Sequence, residues 1–138
     1  MIRLSVPGTL QYRDLAMRLV QAACKLVDPG IIPHDFDEKV ISAFGEAFNN
    51  VAMHAYRDRR GELHVEVEVA SDRMTLRLID HGTSFDLSAV PAPDLDLLPE
   101  SGLGVFIMKS FMDDVSYSAG APNVLSMTKR FSSIERPA

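Results

Sequence analysis

The sequence has 138 residues, of which 46% are hydrophobic and 24% charged, and this length and composition predict one globular domain spanning residues 1–138. The formal net charge of −5 argues against nucleic acid as a partner, because nucleic acid binds to basic surfaces. The single cysteine, Cys24, cannot form an internal disulfide, and no apolar run approaches the ~20 residues that span a bilayer, so we expect a cytoplasmic protein with no membrane partner.

The first half of the sequence predicts a strand followed by two helices. Residues 2–6 alternate apolar and polar side chains, as a strand does, and a Pro-Gly pair then ends the strand. Thr9 is placed to cap a first helix that runs to about Val27. A second helix is predicted from about residue 34 to residue 57.

The second half of the sequence predicts four strands and one more helix. Residues 61–69 alternate so regularly between apolar and polar side chains that one face of this strand should be solvated, as in an antiparallel sheet. A second strand is predicted to end at Asp80. A helix from residue 102 to about residue 112 and strands near 114–119 and 123–130 complete the chain.

This order of elements predicts an α+β fold, a two-layer sandwich in which helices cover one face of a mixed, mostly antiparallel sheet. Residues 85–100 contain three prolines and show no periodicity, so they are predicted to form a loop. A loop of this length in a small domain is usually functional, and here we expect a lid.

The second helix carries Glu46, Asn50 and His54 at steps of four residues, which places them along one side of the helix. A carboxylate beside a neutral oxygen donor suits an Mg²⁺-bound phosphate, because Mg²⁺ takes few protein oxygens. The alternative is a solvated helix edge, and for His54 a packing or hydrogen-bonding role is favoured. A separate apolar stripe should pack against the core: Val40, Phe44, Ala47, Phe48, Val51 and Ala55.

The second predicted strand ends in a carboxylate that should be buried. Asp80 continues the register of Met74, Leu76 and Leu78, so its side chain points toward the packed face and needs a donor. Gly82 follows and permits either a tight turn or the close approach of a flat ligand. The alternative for Asp80 is an ordinary cap on the turn after a strand.

The sequence Ser101-Gly102-Leu103-Gly104 opens an apolar helix, with Ser101 placed as its cap. A helix N-terminus presents unpaired N–H groups and partial positive charge, and glycines let phosphates come close to the backbone. A plain glycine turn is the alternative. The run lacks the glycine before Lys109 that a P-loop needs, and no third glycine completes a dinucleotide-binding fingerprint.

Together and in this order, the three segments resemble the ATP-binding domain of the gyrase, Hsp90, histidine-kinase and MutL superfamily. Glu46-x-x-x-Asn50 is similar to its N box, Asp80-x-Gly82 to its first glycine box and Gly102-x-Gly104 to its second. Within the superfamily, the sequence of these segments most resembles that of the stand-alone anti-sigma-factor serine kinases. The resemblance extends from the first strand to Lys129 and implies the Bergerat ATP-binding fold.

The resemblance implies a role for each candidate residue, with ATP and Mg²⁺ as cofactors. Asn50 would help to bind Mg²⁺, and Asp80, beside Gly82, would accept a hydrogen bond from the adenine amino group. Glu46 would be the general base that takes the proton from a partner's serine or threonine hydroxyl. The backbone at the start of the third helix would hold the phosphates, with Ser101, Gly102, Leu103 and Gly104 as the residues involved.

Two positions depart from the superfamily pattern. Ser84 replaces the second glycine of the first glycine box, and this replacement is usual among the serine kinases that the sequence resembles. Glu100 stands where some relatives carry a basic residue, so the counter-charge for the γ-phosphate is unassigned. Lys109 is the nearest candidate, but it can equally complement the end of its own helix.

The resemblance implies an ATP-dependent protein serine/threonine kinase that acts as an anti-sigma factor in a partner-switching system. Its expected partners are a STAS-type anti-sigma-factor antagonist as substrate, a sigma factor or another client, and a second copy in a homodimer. The alternative is a nucleotide-dependent binding module that sequesters a partner without phosphorylating it. Glu46 favours the kinase, since an ATP sensor needs no base there. A histidine kinase is not expected, because no helical phosphoacceptor segment precedes the ATP-binding motifs in this sequence.

Overall fold

Five strands and three α-helices follow one another in the computed structural model, which describes residues 1–56, 60–84 and 100–131. A short 3₁₀ helix precedes the first α-helix. In chain order the elements are β1 (Ile2–Pro7), the 3₁₀ helix (Leu10–Tyr12), α1 (Arg13–Cys24), α2 (Phe36–His54), β2 (Glu62–Val69), β3 (Arg73–Asp80), α3 (Glu100–Phe111), β4 (Asp114–Ser118) and β5 (Asn123–Arg130).

The five strands form one sheet in the order β1-β2-β3-β5-β4, and all four pairings are antiparallel. The mostly antiparallel sheet is thus confirmed, and none of the pairings among the described strands is parallel, so the sheet is not mixed. β5 pairs with β3 although β4 precedes it in sequence, and this places Asn123 opposite Asp80. The last residue of β3 and the first residue of β5 therefore lie side by side.

The helices cover one face of the sheet, as the pattern predicts. The inward side chains of β2, β3 and β5, such as Leu63, Leu76 and Leu125, are fully buried against the apolar sides of the three helices. The opposite face carries charged side chains, and Arg77 lies 3.4 Å from a carboxylate oxygen of Glu68. Such exposed ion pairs contribute little stability, so burial on the helical side is the main source of stability.

The helix α2 lies in the middle of the helical layer, in contact with α1, α3 and β3. The six residues of its predicted apolar stripe are all buried, with 2% exposure or less. Among the described residues, no helix is long and apolar enough to cross a membrane. Because α2 contacts both the sheet and α3, it fixes the positions of the elements that carry the other two motifs.

The N-terminal region differs from the prediction of one long helix capped by Thr9. The Thr9 side chain makes no capping hydrogen bond, and a 3₁₀ turn intervenes before α1 begins at Arg13. The break falls at Tyr12, whose φ of −96° and ψ of 4° are not those of an α-helix. At the other end α1 stops at Cys24. The chain continues to Val27 as a 3₁₀ turn, in which each N–H donates to the carbonyl three residues earlier. The predicted lid, residues 85–100, lies outside the described residues except for Glu100, which begins α3.

Candidate active site

Asp80 ends β3 in a buried position, as its register predicts. The side chain is 2% exposed, and its Oδ1 accepts hydrogen bonds from Asn123 Nδ2 at 2.9 Å and from the backbone N–H of Gly82 at 2.8 Å. An ionised carboxylate is stable in such a place only with donors of this kind. Both bonds end on Oδ1, so they also fix the orientation of the carboxylate plane.

Asn123, one of the two donors to Asp80, is a residue that sequence reasoning missed. It is fully buried, and all of its amide hydrogen-bonding groups have partners. Nδ2 donates to Asp80 and to the carbonyl of Gly82 at 2.9 Å, while Oδ1 accepts from Ser84 Oγ at 2.5 Å and from the Gly120 N–H at 2.9 Å. The available signal was a polar residue in phase with the inward residues of β5.

Ser84 has a structural reason to replace the second glycine of the box. Its hydroxyl donates to the Asn123 amide and so closes the hydrogen-bonded cluster around Asp80. The departure from the superfamily pattern therefore supplies a donor that glycine lacks. Asp80, Gly82, Ser84 and Asn123 form one cluster, which we call the Asp80 cluster.

Gly82 lies where the chain leaving β3 touches the end of α2. A Cβ atom there would overlap the carbonyl group of Ala55, so no other residue fits without moving the backbone. The next residue confirms the close approach, because the Thr83 N–H donates to the Ala55 carbonyl at 2.7 Å. The sequence predicts a tight turn or the close approach of a flat ligand at this glycine, and in the structure the group that lies against it is instead the backbone of Ala55, the residue after α2.

Asn50 lies on α2 with its side-chain amide nearly inaccessible. The residue is 7% exposed, and Nδ2 has no hydrogen-bond partner among the residues that the structure describes. A buried donor without a partner costs about 1 to 3 kcal/mol. Native proteins keep such groups mainly where a ligand, ion or water completes them, so Asn50 marks a place that the described residues alone do not satisfy.

Glu46, one turn earlier on α2, lies against the second glycine box. A Cβ atom on Gly104 would be 2.8 Å from Glu46 Oε2, so glycine at this position leaves room for the carboxylate. Gly104 is buried, whereas Leu103 beside it is 41% exposed. The N box and the second glycine box are therefore in contact through Glu46 and Gly104.

The helix α3 begins earlier than predicted, at Glu100 instead of residue 102. Ser101 therefore lies inside the first turn, and its predicted role as the residue before the helix is wrong. The first turn, which holds Ser101 and Gly102, still carries the unpaired N–H groups and the partial positive charge of a helix start. Phosphate binding at this turn remains consistent with its geometry.

α2 carries the first motif and contacts the other two, which lie at the end of β3 and in α3. Ala55 near the end of α2 touches Gly82, and Glu46 in its middle touches Gly104. One end of the site presents the buried Asp80 carboxylate, and the other presents the Glu46 carboxylate beside α3. The Asn50 amide, which is unsatisfied among the described residues, lies one turn after Glu46 on α2. This arrangement suits a ligand with a polar ring at one end and an anionic group at the other.

The family model for the histidine kinase-like ATPase domain matches residues 8–129, which include all three motifs. The chain therefore belongs to the histidine kinase-like ATPase domain family. Two solved structures share the fold. The histidine kinase domain from Erythrobacter litoralis EL346 has a TM-score of 0.57 at 14% identity and covers 88% of this chain and 60% of its own. The Acinetobacter baumannii histidine kinase AdeS has a TM-score of 0.51 at 17% identity, and the match covers 70% of this chain and 48% of the AdeS chain.

Curated relatives define the branch of the family. The chain is 33% identical over 137 residues to the serine-protein kinase RsbW of Bacillus velezensis, covering 93% of this chain and 84% of the relative. It is 27% identical to the serine-protein kinase RsbW of Bacillus cereus, with 93% and 83% coverage. These matches confirm the expected serine-kinase branch, and the enzyme class that goes with it is protein serine kinase.

Proposed function

We propose that this chain is an ATP-dependent protein serine/threonine kinase that acts as an anti-sigma factor in a cytoplasmic partner-switching system. Its substrate is a STAS-type antagonist, and its client is a sigma factor or a similar protein. The observation that carries the catalytic part is the contact between Glu46 and Gly104, which brings a carboxylate to the second turn of α3, next to the first turn that favours phosphate. The family resemblance supports the partners and a homodimer.

The Asp80 cluster suits the adenine end of ATP. The carboxylate is held through Oδ1 by Asn123 and Gly82, and we propose that Oδ2 accepts the hydrogen bond from the adenine amino group. A buried acceptor with a fixed plane selects for a donor at that position, because a ligand without one leaves the carboxylate unpaired. Discrimination of adenine from guanine follows from this geometry.

Asn50 suits the metal and phosphate end. Its amide offers an oxygen for Mg²⁺ and a buried N–H group that has no partner among the described residues and can donate to a phosphate oxygen or to a metal-bound water. When bound, Mg²⁺ neutralises charge on the β- and γ-phosphates and orients them. The first turn of α3, around Ser101 and Gly102, donates its free N–H groups to the same phosphates.

Glu46 is suited to be the general base. The partially exposed carboxylate can accept the proton of a serine or threonine hydroxyl while that oxygen forms a bond to the γ-phosphorus. The bond from the γ-phosphorus to the bridging oxygen breaks, and ADP leaves with the electron pair. Gly104 keeps the space beside the carboxylate open, which a larger residue would fill.

The alternative is a nucleotide-dependent binding module that holds its partner without phosphorylating it. Both functions use the Asp80 cluster and Asn50, so nucleotide binding alone does not separate them. They differ in Glu46, which has a chemical task in a kinase and none in a binding module.

The deciding experiment incubates the protein with γ-labelled ATP, Mg²⁺ and the STAS-domain protein encoded nearest to its gene. We expect label on the antagonist, and a loss of about 10²- to 10⁴-fold in transfer rate for Glu46→Gln, the usual contribution of a general base. ATP affinity, measured by calorimetry, should be unchanged in this variant. Normal phosphorylation by Glu46→Gln would show that the proposed mechanism is wrong.

A further inference from the structure

Arg13, the first residue of α1, lies across the middle of α2. Its Nε donates to the carbonyl oxygen of Gly45 at 3.4 Å, and its Nη2 would be 2.5 Å from a Cβ atom on Gly45. Glycine at position 45 is therefore what allows the guanidinium to lie against this turn of α2. The next residue along α2 is Glu46, the proposed base.

The contacts of Arg13 are weak for a half-buried guanidinium. The bond of 3.4 Å is at the long end of hydrogen-bond distances, and its acceptor is neutral. Among the described residues, no carboxylate lies within ion-pair distance of Arg13. Arg18 on the same helix differs, because it is 75% exposed and pairs with Asp14 at 2.8 Å. Within the described part of the chain, Arg13 therefore has no anionic partner and offers a cationic group to an anion.

The proposed site needs such a cation. The two ionisable side chains assigned to it, Glu46 and Asp80, are both acidic, and ATP adds further negative charge. Lys109 is an exposed residue in the last turn of α3. It lies eight residues after Ser101, or about 12 Å along the helix axis from the turn that receives phosphate. The position of Lys109 fits complementation of its own helix end instead.

We propose that Arg13 supplies the positive charge for the terminal phosphate of ATP, a role that rests on the proposed function. The guanidinium exchanges the Gly45 carbonyl for phosphate oxygens held beside Glu46. This exchange is favourable, because two charge-assisted bonds replace one long bond to a neutral oxygen. The assignment also accounts for the absence of a basic residue at position 100.

The test is calorimetry with two probes, ADP and a non-hydrolysable ATP analogue, at saturating Mg²⁺. Arg13→Ala should weaken binding of the analogue by about 10- to 100-fold and change ADP affinity by less than about twofold. Arg13→Lys should recover part of the loss, because it keeps the charge without the planar fork. Arg18→Ala, from the same helix, should change neither affinity.

A purely structural role for Arg13 would lower both affinities together, so the ratio of analogue to ADP affinity is the decisive quantity. Arg13→Gln provides a second variant, which removes the charge and keeps a hydrogen-bonding amide on a shorter side chain. An unchanged ratio in both Arg13→Ala and Arg13→Gln would overturn this inference while leaving the proposed kinase intact. A wild-type protein that binds neither probe would overturn the proposed function and the role of Arg13 with it.

Discussion

The two ends of the proposed nucleotide site differ in how far the protein completes them by itself. At the Asp80 cluster, the buried Asn123 amide uses every donor and acceptor, and Asp80 has two donors. On α2, the buried Asn50 amide leaves its Nδ2 without a partner among the described residues. Within the described structure, every hydrogen-bonding group of the Asn123 amide is paired without a ligand, whereas the Nδ2 of Asn50 is not.

This difference indicates that the two ends of the proposed site contribute differently to the stability of the free protein. A cluster held by several buried hydrogen bonds is rigid and ready to recognise one shape of ligand, because its groups need no reordering. A buried donor without a partner reduces the stability of the free protein, and a ligand that supplies an acceptor recovers that cost. We therefore expect the Asp80 cluster to stabilise the fold as well as the proposed site, and Asn50 to contribute mainly to the proposed binding of the ligand.

The largest expected effect on stability is at Asn123. Asn123→Ala should lower the free energy of unfolding by about 2 to 4 kcal/mol, because it leaves Asp80 Oδ1 with one donor fewer and removes a partner from Ser84, Gly82 and Gly120. Urea unfolding followed by circular dichroism measures the change. A shift below about 0.5 kcal/mol would show that the cluster does not support the fold.

A much smaller effect is expected at Asn50. Asn50→Ala should change the free energy of unfolding by no more than about 0.5 kcal/mol, or raise it, because the Nδ2 group that it removes has no bond to lose within the described structure. The same urea titration provides the measurement, with Asn123→Ala as its matched comparison. If Asn50→Ala were as destabilising as Asn123→Ala, the contrast between the two ends would be wrong.

Features that depend on local periodicity could be predicted from the sequence. The burial of the α2 stripe and the inward direction of Asp80 both follow from a repeat of 3.6 or 2 residues within one element. The meeting of the three motifs came from their resemblance to a known superfamily, since spacing within each segment says nothing about distances between segments.

Features that depend on pairing between distant segments could not be predicted in this way. Asn123 joins Asp80 across 43 residues because β5 pairs with β3 and not with β4 alone. Arg13 reaches Gly45 across 32 residues, through the packing of α1 on α2. Element ends were also misplaced, as at Thr9, whose side chain makes no capping hydrogen bond, and at the start of α3, which lies at Glu100 and not at residue 102.

The most direct test of this account measures ATP affinity by calorimetry with and without Mg²⁺ in the wild type, Asp80→Asn and Asn50→Ala. Asp80→Asn should weaken binding by about 10- to 100-fold to the same extent in both conditions, because it acts at the adenine. Asn50→Ala should lose the part of the affinity that depends on Mg²⁺ and keep the rest. Equal Mg²⁺ dependence in Asn50→Ala and the wild type would contradict the division of the site into two ends.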